Sequence, residues 1–216
     1  MHSTEEIQKQ IGQIGLVAAI RCRAALDGML ELGDALHAAP LTAVMISAGS
    51  VEPWQIVAEM RHRYGRSMAI GAGPLHTQDA VSAALAAGAH FVMSTAHERE
   101  IGEMCRRQGA LYIPLVQRSA HVYDALDAQW HTVSCFPVHR SGSQPIADLV
   151  RRFPTVRILA AGGVNAANLG DFARAGAAAV VVRGVLGVET RWRMNEIILH
   201  MRRLRAAWDA ARLLRE

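Results

Sequence analysis

The strongest constraint on this chain is a rhythm. Short runs of apolar and β-branched residues recur eight times, as "LVAAIRC", "LTAVMIS", "SMAIGAG", "HFVMST", "LYIPLV", "HTVSCF", "VRILAAGG" and "AAVVVRG". Each is followed by a stretch with apolar residues at helical spacing. In "TQDAVSAALAAG" Thr77 reads as N-cap and Gly88 as stop; in "NAANLGDFARAG" Asn165 and Gly176 take those roles. Strands that are nearly continuous in apolar character and alternate with helices belong to a parallel sheet covered on both faces. Eight such units predict an α/β chain folded as a (β/α)8 TIM barrel. An N-terminal helix with a capping box from Ser3 to Glu6 precedes it, and a basic C-terminal helix follows. An open doubly wound sheet is the alternative, but it calls for a Gly-rich fingerprint after its first strand, and "RCRAALDG" is nothing like one.

The 216 residues are expected to form one domain spanning 1–216. No apolar run approaches the roughly 18 residues needed to cross a bilayer, and the polar, acidic start "MHSTEEIQKQIG" is unlike a signal peptide, so the expected location is cytoplasmic. Cys22, Cys105 and Cys135 are odd in number and widely spaced, which argues against a disulfide framework or a structural zinc site. The formal net charge is +4, with arginines concentrated in "RWRMNEIILHMRRLRAAWDAARLLRE". There Ile197, Ile198, Met201, Leu204, Trp208 and Leu213 recur at helical spacing, which predicts a terminal helix packed on the body with a solvated basic face. No aromatic stacking platform accompanies that charge, so neither nucleic acid nor membrane is expected as a partner.

In a barrel the chemistry sits where strands end and the loops to helices begin. Gly162, Gly163 and Gly184 fall there. Their backbone N–H groups near a helix N-terminus are suited to an anion, with Arg183 adding a charge-assisted bond. The same glycines also suit tight turns with no ligand. His76, His97, His121 and His139 lie on the same side. A metal site is not expected, since carboxylate co-ligands and H-x-H or H-E-x-x-H spacing are missing, whereas His97 or His139 is a candidate acid-base residue. Strand alternation puts Ser134 and Cys135 on opposite faces, so if Ser134 points into the barrel Cys135 faces the helices, where a thiol is inert.

Together "AAIR", "AVMIS", "IGAG", "FVMS", "IPL", "FP" and "GGVNAANL", in this order and spacing, resemble the 2-keto-3-deoxy-6-phosphogluconate (KDPG) and 4-hydroxy-2-oxoglutarate (KHG) aldolases. The resemblance runs through nearly the whole chain and implies a homotrimeric barrel acting on phosphorylated or carboxylated 2-oxo acids. It also exposes departures. The family's Schiff-base lysine, in "K-F-F-P" or "K-I-F-P", aligns with Ser134 of "SCFP". Its proton-transfer glutamate on strand two aligns with Met45, the threonine of "GAGT" with Pro74, and the serine of the last phosphate loop with Val185. Arg21 keeps the place of an active-site arginine and is expected to point into the barrel. The chain has one lysine, Lys9, in the N-terminal helix. Serine forms no imine and arginine stays protonated, so amine covalent catalysis is expected to be absent, and no cofactor is expected.

Three readings follow. The first is a barrel that binds a small anionic metabolite through Arg21, Ser134, Gly162, Gly163, Arg183 and Gly184, at a polar mouth where Arg21 and Arg183 converge. The second is a non-catalytic assembly or sensor protein with an apolar, plugged mouth. The third is a lyase or isomerase working through histidine and arginine.

Overall fold

The structure, a computed structural model, describes residues 3–22, 26–95, 98–183 and 193–214. His97, Gly184 and Val185 therefore lie outside the described residues. The strands are β1 (Leu16–Ile20), β2 (Ala43–Ile46), β3 (Ala69–Leu75), β4 (Phe91–Ser94), β5 (Leu111–Ile113), β6 (Leu115–Val116), β7 (Thr132–Cys135), β8 (Arg157–Val164) and β9 (Ala179–Arg183). Every pairing is parallel, in the order β5-β4-β3-β2-β1-β9-β8-β7-β6. The two ends of that order are one run in sequence. "LYIPLV" is predicted as a single strand, but Pro114 has no N–H to give to the ladder, so the run divides into β5 and β6. Its first half pairs with β4 and its second with β7, and the sheet closes on itself as an eight-stranded barrel.

Helices follow the strands: α2 (Leu26–Ala38), α3 (Pro53–Tyr64), α4 (Gln78–Ala86), α5 (Arg99–Arg107), α6 (Ser119–Asp127), α7 (Gln144–Arg152), α8 (Leu169–Arg174) and α9 (Met194–Leu213). They cover the outside, so β1, β2, β3 and β4 are buried at nearly every position and need no polar alternation.

The helix before the first strand, α1 (Thr4–Ile14), closes one end of the barrel. Ser3 and Glu6 form the expected reciprocal cap: the Ser3 N–H donates to Glu6 Oε2 at 2.7 Å and the Glu6 N–H to Ser3 Oγ at 3.2 Å. Ile7, Ile11 and Ile14 are buried against the sheet. On the same helix Gln10 Nε2 donates to the carbonyls of Thr42 and Ser67, both at 3.0 Å, and Gln8 Nε2 to Thr132 Oγ1 at 2.5 Å. Those partners stand at or just before the starts of β2, β3 and β7, so α1 seals the N-terminal end of the barrel. Lys9 is exposed on that helix, at the end opposite the mouth.

Two local expectations shift. Thr77 caps α4 through its side chain, which accepts from the Ala80 N–H at 3.2 Å. Asn165 is not the cap of α8: its Oδ1 accepts from the Ala167 N–H at 2.9 Å in a turn, and the helix begins only at Leu169. Along α9 the residues buried against α2 and α8 are Met201, Leu204, Trp208 and Ala211, while Leu213, expected on that face, is 81% exposed.

Candidate functional site

At the C-terminal ends of the strands lies a cavity of about 300 Å³. Strand alternation decides what faces it. Ala19, Met45, Met93, Leu115, Ser134, Ala161 and Val181 line it from seven strands. Met45 and Met93 sit against Gly73 of the "IGAG" run: a Cβ there would come within 2.9 Å of Met45 Sδ and 2.8 Å of the Met93 carbonyl oxygen. The Met45 thioether and the backbone and Cβ of Met93 thus close the space that glycine leaves.

Ser134 faces inward as expected and is 3% exposed. Its N–H and its hydroxyl both donate to the carbonyl of Pro114, at 2.8 and 3.3 Å, so the hydroxyl proton is held by the break in the neighbouring strand. Cys135 lies outside the cavity lining and packs against the core, and desolvation pushes its thiol up to about 12. A thiol so deprived of its thiolate form is a poor nucleophile.

Gly162 and Gly163 line the cavity, but their identity has a local cause. Their φ angles are +83° and +89°, which L side chains rarely adopt. They stand where the β8–β9 register shifts between Ala161 and Val164. The loop after β7 lies over them, with the Val138 and His139 N–H groups donating to the Ala161 and Gly162 carbonyls, both at 3.0 Å. A Cβ on Gly162 would meet the Phe136 ring at 2.6 Å, and one on Gly163 the Cβ of His139 at 2.4 Å. The helix next in sequence, α8, is six residues long and starts beyond the turn at Asn165, so these glycines do not sit at a helix N-terminus.

The arginines part company. Arg183, the last residue of β9, is exposed at the mouth and lines the cavity, with no partner among the described residues. Arg21 does not point into the barrel. It lies one residue past β1, is exposed and outside the lining, and its Nε donates to the Gly49 carbonyl at 3.1 Å. The expected convergence of Arg21 with Arg183 is therefore not what the fold provides.

Among the histidines, His139 is exposed and lines the cavity. His76 Nδ1 is hydrogen-bonded to Thr95 Oγ1 at 2.5 Å, and Thr95 also lines it. His121 is turned to the residues just before its own helix, with the Gln117 N–H and the Arg118 Nε–H directed at its ring nitrogens at 3.3 and 3.0 Å. Among the described residues no group of three or more His, Cys, Asp and Glu is placed to hold a metal ion. Thr95 and Phe136 fall within the strand-end segments that the barrel reading sets at the mouth, whereas sequence reasoning missed Met93 as a lining residue. Met93 and its neighbour Ser94 both line the cavity, so strand alternation does not single Met93 out, and the Thr95–His76 contact depends on the β3–β4 register, which pairs Leu75 with Ser94.

The described lining holds one arginine and one imidazole but no Asp, Glu or Lys. Such a set is chemically suited to an anion and offers neither a carboxylate for proton relay nor an amine for an imine.

The comparisons with known proteins agree with this barrel. A 2-dehydro-3-deoxy-phosphogluconate aldolase of Treponema pallidum (strain Nichols) is 29% identical over 104 residues, spanning 48% of this chain and only half (50%) of that protein's length. The fold matches that of the 2-keto-3-deoxy-6-phosphogluconate aldolase of Zymomonas mobilis ZM4, solved with 3-phosphoglycerate, at a TM-score of 0.83 and 17% identity over 94% of this chain and 97% of that one. It also matches the KDPG aldolase of Legionella pneumophila, solved with pyruvate captured as a covalent carbinolamine, at a TM-score of 0.78 and 20% identity over 95% and 97% of the two chains. Among the described residues no helix is long and apolar enough to cross a membrane. The family match described as KDPG and KHG aldolase runs through residues 7–199, from α1 into α9, and the chain therefore belongs to the KDPG and KHG aldolase family.

Proposed function

We propose that this family member binds a small anionic metabolite at the barrel mouth without forming an imine. One observation carries the reading: the cavity is lined by Ser134 and Met45, and the chain's one lysine is on α1 at the opposite end. By motif resemblance, Ser134 and Met45 stand at the family's lysine and glutamate positions. Arg183 supplies the charge for the anion, and Gly162, Gly163 and Ser134 form the wall beneath it. Arg21, whose Nε donates to the Gly49 carbonyl, has no direct ligand contact assigned to it in this reading, and Gly184, outside the described residues, stays a ligand-binding candidate from the sequence. By family resemblance the chain works as a homotrimer, and from its length and hydropathy pattern as a cytoplasmic protein with one domain over residues 1–216. Binding without turnover also meets what a sensor needs. A lyase or isomerase working through histidine is the second reading, favoured by His139 and by the Thr95–His76 pair at the cavity.

A thermal-shift screen of carboxylates, 2-oxo acids and sugar phosphates tests the first reading. A ligand at about 100 times its Kd stabilises the native state by about 2.7 kcal/mol, which for a chain of this size is a rise of roughly 5–10 °C. At least one anion should raise the Tm of the wild type by such an amount and lose most of that effect in Arg183→Ala. If no anion shifts the Tm, or if the variant responds equally, the reading is wrong. Product analysis of the stabilising ligand then separates binding from turnover.

A further inference from the structure

The cavity also constrains the body of the ligand, and this step rests on the anion-binding reading above. Its wall is apolar: Met45, Met93, Leu115, Pro137, Ala161 and Val181 surround the space below Arg183. Each hydroxyl of the described lining already has a hydrogen-bond partner in the protein. Ser134 Oγ donates to the Pro114 carbonyl at 3.3 Å, Ser94 Oγ to the Leu75 carbonyl at 3.1 Å, Thr95 Oγ1 is bonded to His76 at 2.5 Å, and Ser47 Oγ accepts from the Gly49 N–H at 3.4 Å. Sugar hydroxyls drawn into this space would leave water without equivalent partners, and burying an unpaired hydroxyl costs roughly 1–3 kcal/mol. A methylene chain loses nothing there and gains from leaving water. At about 300 Å³ the space is at the small end for ligand pockets. Among the described lining residues one guanidinium faces the opening, which matches the single charge and the two oxygens of a carboxylate. A phosphate ester, with roughly two negative charges, is less well balanced by it.

We infer that the ligand of this cavity is a small carboxylic acid with an apolar body, its carboxylate at Arg183 and its chain against Met45 and Met93, and not a phosphorylated polyhydroxy acid.

Titration calorimetry on the full chain with the straight-chain acids butanoate to octanoate, 1-hexanol and 6-phosphogluconate tests this. Affinity should rise about fourfold per added methylene until the cavity is full. Arg183→Ala should weaken hexanoate about tenfold and leave 1-hexanol unchanged. Met45→Gln, which puts an amide into the wall and keeps the arginine, should flatten the chain-length series. A wild-type series that is flat, or 6-phosphogluconate binding tighter than hexanoate with Arg183 still required, overturns the apolar-acid inference alone. If no acid binds, or if hexanoate binds no better than 1-hexanol and ignores Arg183→Ala, the underlying anion reading falls with it.

Discussion

Ser134 shows how much a single side chain decides at the end of a strand. A lysine at this position would place an amine in an apolar cavity, where desolvation lowers its pKa and leaves it nucleophilic. Ser134→Lys should therefore form a borohydride-trappable adduct with pyruvate. It should still fail to cleave 2-keto-3-deoxy-6-phosphogluconate, because Met45 carries no proton. General acid-base help contributes typically 10²–10⁴-fold, so Ser134→Lys with Met45→Glu should exceed the single variant by at least about a hundredfold in pyruvate release. Comparable cleavage by the single variant would contradict the account of Met45. Alternation, together with the inward lysine position that the family resemblance implies, made the facing of Ser134 and Cys135 legible in the sequence. It did not do so for Arg21, which shares the parity of Ala19 but stands past the last ladder residue, where the chain turns to the Gly49 carbonyl. Nor did it reveal that Phe136 and His139 themselves account for the double glycine.

At the level of elements, the two terminal helices depend on one another through a single glycine. Gly15 ends α1 at φ +69°, and a Cβ on it would come within 1.8 Å of Nε1 of Trp208, the fully buried anchor of α9. Gly15→Ala meets both a disfavoured backbone and an occupied space, so urea unfolding should show a loss of about 2–4 kcal/mol. A loss below about 1 kcal/mol would mean that the indole moves aside freely. The sequence announced both helices through the Ser3–Glu6 cap and the apolar stripe of α9. The stripe is Met201, Leu204, Trp208 and Ala211 at four- and three-residue steps; Leu213 falls off it and stays in water. The division of β5 from β6 was present in the sequence as Pro114, but its consequence, that the barrel's ring is interrupted there, depends on which strands lie on either side.

For the whole molecule, the barrel's polarity is what gives the scarcity of lysine its meaning. Eight strand runs and their helices make the topology legible, and the topology sets α1 and Lys9 at the end away from the mouth. What the cavity holds was less legible, because the convergence of Met45, Met93 and Thr95 is a matter of register between strands distant in sequence. The central claim is that this family barrel has no side-chain amine at its mouth. Intact-mass spectrometry after incubation with pyruvate and borohydride tests it most directly, with Ser134→Lys as the reference. The account predicts wild-type protein of unchanged mass beside a singly modified variant; one reduced pyruvate per wild-type chain would contradict it.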